Sequence, residues 1–253
     1  MTVKVIFQRD NLTVFQGSHG TVNSTLLEFE NYLILIDTMY AHPNLKELKQ
    51  HIKEKNKPLK YIINTHYHFD HFWGNKFISE KDTIIIAHKN YLKTTLSRIR
   101  SKEEGKKLLK RNKYPDITFS EKLILEDNIE LIYTPGHSTD GVCVYLKKEK
   151  ILITGDTILG NENGKKVLPY FWDGTPKEML NTMEQLMQLD FDTVVPGHYE
   201  IIVKSDINND INYLKMFLNV NNYKKLNGGY GNLEGRSVEI HEKNLEKILK
   251  MKE

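Results

Sequence analysis

A dense group of histidine and aspartate residues directly follows a short apolar segment, and this placement constrains the fold. Residues 61–64 (YIIN) have the composition of a buried strand, and residues 65–71 (THYHFDH) come immediately after it. Strand ends are where α/β proteins gather their functional side chains. Imidazole and carboxylate groups bind divalent metals. The segment therefore predicts a metal site, with two ions that activate water, and its candidate ligands are His66, His68, Asp70 and His71.

Three further candidate ligands occur at the same kind of position. His137 follows the predicted strand 129–133 after a Pro-Gly turn, and His198 follows the predicted strand 193–195 after another. Asp156 follows the predicted strand 151–154 after a single glycine. Glycine allows the tight turns that aim the next side chain inward. If these strand ends share one edge, seven ligating side chains converge there.

The seven candidate ligands suit zinc, which accepts neutral imidazole and carboxylate. Five histidines and two aspartates exceed one tetrahedral site but fit two adjacent sites, with one carboxylate bridging both ions. Water bound to such a metal has its pKa lowered to about 7. Of the other histidines, His88 follows a strand but lacks the glycine turn, so it is interpreted as a non-ligand. The remaining four are interpreted as surface or loop residues: His19, His42, His51 and His241.

Charge and apolar patterning exclude several classes of protein. The net charge of +3 over 253 residues gives no argument for nucleic acid binding. Cys143, the single cysteine, lies in a predicted strand and is interpreted as a buried, inert thiol. No segment approaches the roughly 20 apolar residues of a membrane span, and the N-terminus has no signal-peptide pattern. The cytoplasm is therefore the expected compartment.

The order of predicted elements indicates one domain spanning residues 1–253. Predicted hairpins in the first 36 residues precede a helix at 43–55 and strands at 61–64 and 83–86. A basic helical stretch is predicted at 90–113. In the second half of the chain, predicted strands again precede candidate ligands, at residues 137, 156 and 198. Later helices are predicted at 177–189, 206–219 and 238–250. Two β-sheets covered by helices on their outer faces would satisfy this pattern.

Taken together, these motifs resemble the metallo-β-lactamase superfamily. The resemblance runs from Asp37 through the segment 65–71, Pro-Gly-His137 and Gly-Asp156 to Pro-Gly-His198, which is most of the chain. It implies an α+β fold, an αββα sandwich of two mixed β-sheets with helices on both outer faces. It implies that Asp37 supports the metal loop. It also implies that the first metal is held by His66, His68 and His137, the second by Asp70, His71 and His198, with Asp156 bridging them.

Some residues of this chain differ from those typical of individual branches of the superfamily, and these differences narrow the range of expected reactions. An aspartate at position 156 resembles the glyoxalase II, lactonase and general hydrolase branches more than the exported zinc β-lactamases, which lack a bridging aspartate. His68 stands where flavodiiron-type members have glutamate. Persulfide dioxygenases use one iron on fewer ligands, whereas the second ligand set is complete here. Nuclease members carry an extra domain or extended arm, and this chain has no spare length for a domain.

The expected function is a dinuclear metal-dependent hydrolase of a small-molecule substrate. A hydroxide bridging two zinc ions, or iron or manganese, would attack an ester, thioester, lactone or amide, β-lactams included. Asp70 would orient the hydroxide and relay its proton as the catalytic residue. The alternatives are a phosphodiesterase, a mononuclear iron enzyme like the persulfide dioxygenases, and an inactive metal-holding protein. Neither a membrane nor nucleic acid is an expected partner.

Three segments are candidates for shaping the substrate pocket or an interface. In the loop 157–173, the aromatic residues Tyr170, Phe171 and Trp172 either form a pocket wall or anchor the loop. Phe72 and Trp73 are expected to pack under the ligand segment. The basic stretch 93–113 is interpreted mainly as a solvated helix face, with a lid as the alternative. The C-terminal helix either packs on the domain or mediates a homodimer.

Overall fold

The apolar segments of the sequence form fifteen strands among the residues described here. The computed structural model describes residues 2–97, 107, 110–126, 128–218 and 233–251. The strands, in chain order, are β1 (Val3–Arg9), β2 (Leu12–Gly17), β3 (Asn23–Glu28), β4 (Leu33–Ile36), β5 (Leu59–Ile63), β6 (Ile84–His88), β7 (Ile117–Phe119), β8 (Lys122–Leu125), β9 (Ile129–Tyr133), β10 (Val142–Leu146), β11 (Ile151–Gly155), β12 (Asn161–Glu162), β13 (Lys165–Lys166), β14 (Thr193–Pro196) and β15 (Ile202–Val203).

These strands assemble into two mixed sheets and one small hairpin. The first sheet contains β1 to β7 in chain order, and the second has the order β15-β14-β11-β10-β9-β8. Strands β4 to β7 pair in parallel, as do β11 and β14, while the other pairs are antiparallel. The parallel pairs place the C-terminal ends of several strands at the same edge, which is where the candidate ligands follow them.

Helices cover the outer faces of both sheets. The helix α5 (Pro176–Leu186) begins with a capping box in which Thr175 and Glu178 exchange hydrogen bonds, at 3.1 Å and 2.9 Å. A single 3₁₀ turn at 204–206 precedes the helix α6 (Ile207–Leu218). The helices of the described segments are α1 (His42–Glu54), α2 (Phe69–Phe72), α3 (Asn75–Ile78), α4 (Tyr91–Ser97), α5 (Pro176–Leu186), α6 (Ile207–Leu218) and α7 (Arg236–Lys250).

Alternation along the central strands explains the layered packing. In β4, Leu33 and Leu35 pack toward α1, whereas Ile34 and Ile36 pack between the two sheets. All four are buried because β4 is covered on both faces. In β10 the same period directs Val142 and Val144 to the space between the sheets and Cys143 toward the opposite helical layer. The αββα sandwich is therefore confirmed.

Burial also determines the state of the single thiol. Cys143 is fully buried. Its thiol stays protonated at neutral pH, because burial raises its pKa to about 12. A thiolate is the reactive form of cysteine. The interpretation of Cys143 as an inert core residue is therefore supported by its surroundings.

The segment between β6 and β8 differs from the sequence prediction. The predicted helix 90–113 is helical at Tyr91–Ser97 and at residues 107, 110 and 111, but residues 112–116 are not helical. Residues 98–106, 108 and 109 lie outside the described residues. The strand β7 was not predicted, because three residues with one parallel neighbour carry too short an alternating pattern to detect.

The C-terminal helix packs on the domain. Ile240 and Ile248 join the apolar cluster formed with α5 and α6. The prediction that His241 is a surface or loop residue is wrong, since it lies in α7, is 4% exposed and sits 3.0 Å from the Tyr213 hydroxyl through Nδ1. A histidine on the buried face of an amphipathic helix is not distinguished by apolar periodicity alone. Within the described segments, no helix is long and apolar enough to span a membrane.

Candidate metal centre

The seven candidate ligands converge at the edge where the strands of the two sheets end. His66 and His68 lie in the loop after β5, and the short helix α2 then presents Asp70 and His71. The other three come from the second sheet, where β9, β11 and β14 each end just before a ligand. The structure brings together the following residues predicted from the sequence: His66, His68, Asp70, His71, His137, Asp156 and His198.

Two glycines permit the close approach of these loops. Gly136, just before His137, has a φ of +142°, and a Cβ there would lie 2.6 Å from the Met179 Cα. A Cβ on Gly197, just before His198, would lie 2.4 Å from Oδ1 of Asp156. Any side chain at either position would therefore displace a candidate ligand or the helix behind it.

Three imidazoles and a carboxylate form the first group. Nδ1 of His68 lies 2.9 Å from Nε2 of His66 and 3.1 Å from Nε2 of His137. Oδ2 of Asp156 lies 3.8 Å from Nε2 of His66 and 3.6 Å from Nε2 of His137. The group is mostly removed from water, since His66 is 2% and His137 4% exposed.

The second group lies on the other side of Asp156. Nε2 of His198 is 3.3 Å from both Nε2 of His71 and Oδ2 of Asp70. Oδ1 of Asp156 lies 3.4 Å from Nε2 of His71, and its Oδ2 lies 3.5 Å from Nε2 of His198. The carboxylate of Asp156 thus faces both groups at once.

Hydrogen bonds from the outer nitrogen of two imidazoles to backbone carbonyls fix the direction of their rings. Nδ1 of His137 donates to the Tyr170 carbonyl at 2.6 Å, and Nδ1 of His198 donates to the Gly20 carbonyl at 2.7 Å. A carbonyl can only accept, so these protons reside on Nδ1 and the lone pairs on Nε2 point inward. The same arrangement orients histidine ligands in known metal sites.

Asp37 joins the two halves of the ligand segment. Its Oδ1 accepts from the Thr65 backbone N–H at 2.8 Å, and its Oδ2 accepts from the Thr65 hydroxyl at 2.7 Å. Oδ2 also lies 2.7 Å from Nδ1 of His71. Asp37 is 2% exposed and adopts a φ of +59°. Its contacts agree with the supporting role implied by the family resemblance.

Burial and mutual electrostatics set the protonation of the first group. Burial lowers the pKa of His66 well below its usual value, and the imidazoles of His71 and His68 add to that effect. Burial also lowers the pKa of His68 to about 3 and lowers that of His137. These imidazoles are therefore neutral at physiological pH, which is the form that binds metals.

The second group pairs ionised carboxylates with imidazoles whose pKa values are raised. Burial opposes ionisation of Asp156, but His198 and His71 outweigh it and hold its pKa well below the usual value. Burial likewise opposes ionisation of Asp70, but His71 and His198 lower its pKa to about 2. Burial opposes the charge on His71, yet Asp156 and Asp37 raise its pKa well above normal. This half of the centre attracts positive charge.

The donor set fits divalent cations. Oδ1 of Asp156 and Nε2 of His68 are buried and have no hydrogen-bond partner among the described residues. In the first group, inward-facing imidazole nitrogens approach within 2.9–3.1 Å, where lone pairs repel unless a proton or cation lies between them. A mixed imidazole and carboxylate set of this kind is suited to zinc and related ions.

A cavity of about 470 Å³ opens onto the centre. Asp70, His137, Asp156 and His198 form its inner wall. Its outer lining includes Gly20, Thr21, Leu159, Glu162, Tyr170, Tyr199, Arg236 and Ile240. Both the loop after Asp156 and the C-terminal helix therefore contribute to the space in front of the candidate ligands.

The sequence left two roles open for the aromatic residues 170–172, forming a pocket wall or anchoring the loop, and the three residues differ in this respect. Phe171 is fully buried and packs edge-on against Phe217 of α6, with ring centres 5.4 Å apart, so it anchors the loop. Trp172 is 44% exposed, and its ring centre lies 5.4 Å from that of His68. Tyr170 lines the cavity. The run therefore provides one anchor, one residue of the cavity wall and one exposed ring beside His68.

Four other residues considered from the sequence lie outside the group of candidate ligands: Phe72, Trp73, His88 and Lys93. His88 lies outside the ligand cluster, stacks on Tyr133 at 4.0 Å and contacts the Ser120 carbonyl at 2.7 Å. Phe72 is buried under the ligand segment as predicted, but the same prediction is wrong for Trp73, which is 37% exposed. Trp73 directly follows the one-turn helix α2 and is exposed. Lys93 lines a second cavity of about 410 Å³ beside α4.

Backbone carbonyls that orient the ligands were not predicted. The Tyr170 and Gly20 carbonyls contact His137 and His198 across 33 and 178 residues of sequence. Carbonyls are present at every residue, so no side-chain pattern identifies them. The glycines of the ligand turns were the available signal that backbone comes close to the site.

Comparison with known proteins agrees with this geometry. A family model described as the metallo-beta-lactamase superfamily matches residues 17–198. A hydroxyacylglutathione hydrolase from Pelagibacter ubique is 28% identical over 176 residues, which cover 67% of this chain and 62% of that protein. A beta-lactamase-like protein 2 homolog from Caenorhabditis elegans is 31% identical over 186 residues, covering 72% of this chain and 57% of that protein. The chain thus spans about three fifths of these curated relatives.

Solved structures share the fold at low sequence identity. A metallo-beta-lactamase from Pontibacter korlensis superposes with a TM-score of 0.67 at 22% identity, covering 84% of this chain and 99% of that one. The metallo-beta-lactamase DIM-1 superposes with a TM-score of 0.69 at 19% identity, covering 85% and 98%. With its family match, its αββα fold and a converging set of histidines and aspartates, the chain belongs to the metallo-beta-lactamase superfamily.

Proposed function

We propose that this chain is a dinuclear metal-dependent hydrolase that cleaves an ester, thioester, lactone or amide. The observation that carries the proposal is the position of Asp156. Its Oδ2 lies 3.6 Å from Nε2 of His137 in the first group and 3.5 Å from Nε2 of His198 in the second. A carboxylate facing two separate ligand sets is the arrangement expected for a pair of adjacent cations.

His66, His68 and His137 would hold the first cation, Asp70, His71 and His198 the second, and Asp156 both. When bound, the two cations would act as Lewis acids toward the substrate carbonyl and lower the pKa of water. Zinc is the expected metal, because the donors are imidazoles and carboxylates, with iron or manganese as alternatives.

Asp70 is proposed as the catalytic residue. Its side chain is 20% exposed and lines the cavity, so it is accessible to substrate and water. Its pKa of about 2 keeps the carboxylate ionised at neutral pH. The carboxylate oxygens would orient the attacking water and accept its proton.

The cavity supports a small acyl substrate. A volume of about 470 Å³ is within the range of small-molecule sites. The relatives named hydroxyacylglutathione hydrolase support testing thioesters first. Phosphodiesters are the second candidate chemistry on the same centre, since two adjacent cations also suit in-line displacement at phosphorus.

The test combines metal analysis with a substrate panel. The purified chain would be assayed with a thioester, a lactone, a cephalosporin and bis-(p-nitrophenyl) phosphate, with metals quantified on the same sample. We expect two ions per chain and turnover of one carbonyl substrate. The double variant His66→Ala/Asp70→Ala should lose both, whereas His42→Ala, at an exposed position in α1, should lose neither.

Three outcomes would contradict the proposal. Full activity of the double variant would refute the assignment of the centre. Preference for the phosphodiester would replace carbonyl hydrolysis by phosphoryl chemistry. A single iron per chain with oxygen uptake would indicate the mononuclear dioxygenase alternative.

A further inference from the structure

The proposed ligand His137 is held from both its side chain and its backbone by the loop 169–174. Its Nδ1 donates to the Tyr170 carbonyl at 2.6 Å, and its own carbonyl accepts from the Asp173 N–H at 3.0 Å. Gly174 backs onto the turn before His137, where a Cβ would lie 2.3 Å from the Gly136 carbonyl oxygen. The position of His137 therefore depends on the position of this loop.

The loop has little regular structure of its own, and the C-terminal helix α7 holds its backbone. Nζ of Lys247 donates to the carbonyls of Phe171, Trp172 and Gly174 at 2.9, 2.7 and 2.6 Å. An ammonium group has three protons and no acceptor, so these three carbonyls can use its full donor capacity. One lysine thus fixes three of the four carbonyls between residues 171 and 174.

A second side chain of α7 acts on the same loop. Nδ2 of Asn244, which is fully buried, donates to the Pro169 carbonyl at 2.8 Å. Asn244 and Lys247 are three residues apart and therefore lie on the same face of the helix. Their acceptors flank Tyr170, whose carbonyl receives the His137 proton.

The helix is itself fixed to the domain. Ile240 and Ile248 pack in the apolar cluster shared with α5 and α6. The Ser237 hydroxyl lies 3.2 Å from the Leu168 N–H and 3.2 Å from the Lys166 carbonyl. These contacts fix α7 to the domain, so its polar side chains can hold the loop in place.

We propose that Lys247, together with Asn244, is a positioning residue for the first metal site and acts through the Tyr170 carbonyl on His137. The inference rests on the proposed function in one respect, that His137 holds a metal ion. A hydrogen-bond acceptor behind a histidine ligand fixes its tautomer and direction, and loss of such support typically weakens metal binding 10–100-fold. The structure extends this support one step further, from the carbonyl to the lysine that holds it.

The test measures zinc binding without any substrate. The metal-free chain would be titrated with zinc against a chromophoric chelator, comparing wild type with Lys247→Met, which keeps the aliphatic stem and removes the donors. We expect the affinity for one of the two ions to fall by about tenfold or more. Lys250→Met is the matched control, because Lys250 lies on the same helix and pairs with the exposed Glu246 instead. It should bind zinc as wild type does.

A readout on activity separates positioning from general loss of structure. For Lys247→Met, the free zinc concentration giving half of maximal activity should rise, and excess zinc should restore most of kcat. A partly unfolded protein would lose amplitude with no change in that midpoint. Lys247→Arg should give an intermediate shift, since the donors of a guanidinium diverge in one plane and do not match three carbonyls that converge on a single nitrogen.

The outcomes distinguish this inference from the proposed function. Equal zinc affinity of folded Lys247→Met and wild type would overturn the positioning role, whatever the activity. Zinc binding weakened by Lys247→Met in a chain that hydrolyses no acyl substrate would support the positioning role and overturn the proposed function. If circular dichroism finds Lys247→Met unfolded, Asn244→Leu, which removes the donor to the Pro169 carbonyl, carries the same test with the same criteria.

Discussion

Oδ2 of Asp37 lies 2.7 Å from Nδ1 of His71 and turns the opposite nitrogen of that ring toward Asp156. The same carboxylate accepts two hydrogen bonds from Thr65, so all its described partners are donors. This contact links the loop after β4 to the ligand segment after β5. Asp37 therefore contacts two parts of the candidate metal centre.

Asp37→Asn should therefore weaken metal binding without removing a ligand. The amide NH₂ would face a donor from either Thr65 or His71, because each carboxylate oxygen already has at least one donor beside it. We expect the affinity for one zinc ion to fall 10–100-fold, measured by chelator competition. Asp116→Asn is the control, since the Asp116 carboxylate accepts from the Ile85 N–H away from the centre. Unchanged zinc affinity in Asp37→Asn would contradict a supporting role.

Asp156→Asn should change the number of ions bound. Among the described residues, only the Asp156 carboxylate lies within 4 Å of imidazoles in both groups. The variant removes this carboxylate. We expect metal content to fall from two ions to one and kcat to fall on the order of 100-fold or more. Elemental analysis and kinetics on one sample would check this. Retention of two ions at full occupancy would show that the groups bind independently of Asp156.

Replacing the adjacent aromatic residues Phe171 and Trp172 should affect different properties, stability for Phe171 and KM for Trp172. Trp172→Ala removes an exposed ring beside His68, so KM should rise about 5–50-fold, with kcat and zinc content little changed. Phe171→Ala removes a fully buried ring and should cost about 3–5 kcal/mol of unfolding free energy. Steady-state kinetics and urea unfolding of both variants would check this. A Trp172→Ala variant that loses stability but keeps its KM would make Trp172 an anchor too.

The convergence of the candidate ligands could be predicted from the sequence, whereas most of the groups that orient them could not. His137 and His198 each follow a strand and a Pro-Gly turn, and these local signals survive without knowledge of the fold. The groups that orient these candidate ligands have no local signal. The Gly20 carbonyl, for example, contacts His198 across 178 residues and carries no side-chain signature. Asp37 was recognised through the family resemblance, not through its own pattern.

The errors in the fold prediction have similar causes. Strand β7 pairs with one neighbour over three residues, so tertiary pairing and not alternation defines it. The sequence interpretation of His241 as a surface or loop residue fails because the Tyr213 hydroxyl provides a buried partner from another helix. In both cases the deciding contact comes from a distant segment, which a local pattern cannot contain.

Asp140 should make the stability of the protein depend on pH. It is 1% exposed, and burial raises the pKa of its carboxyl to about 7, despite partly offsetting contacts with the Ser138 hydroxyl and Tyr67 N–H. The folded-state pKa thus lies above the ordinary value of 3.8. The folded state binds the proton more tightly than the unfolded state, so this group's contribution to stability falls as pH rises from about 4 to about 7.

Asp140→Asn is neutral at every pH and should remove that dependence. The unfolding free energy of the variant minus that of wild type should be more positive at pH 8 than at pH 5, by about 2–3 kcal/mol. Urea unfolding of both proteins at both pH values, with identical metal content, measures this difference. Asp190→Asn, at a position with a 78% exposed side chain, should show no comparable change between the two pH values. A difference for Asp140→Asn that is equal at pH 5 and pH 8 would mean that the carboxylate is ionised in the folded protein throughout, stabilised by groups other than Ser138 and Tyr67.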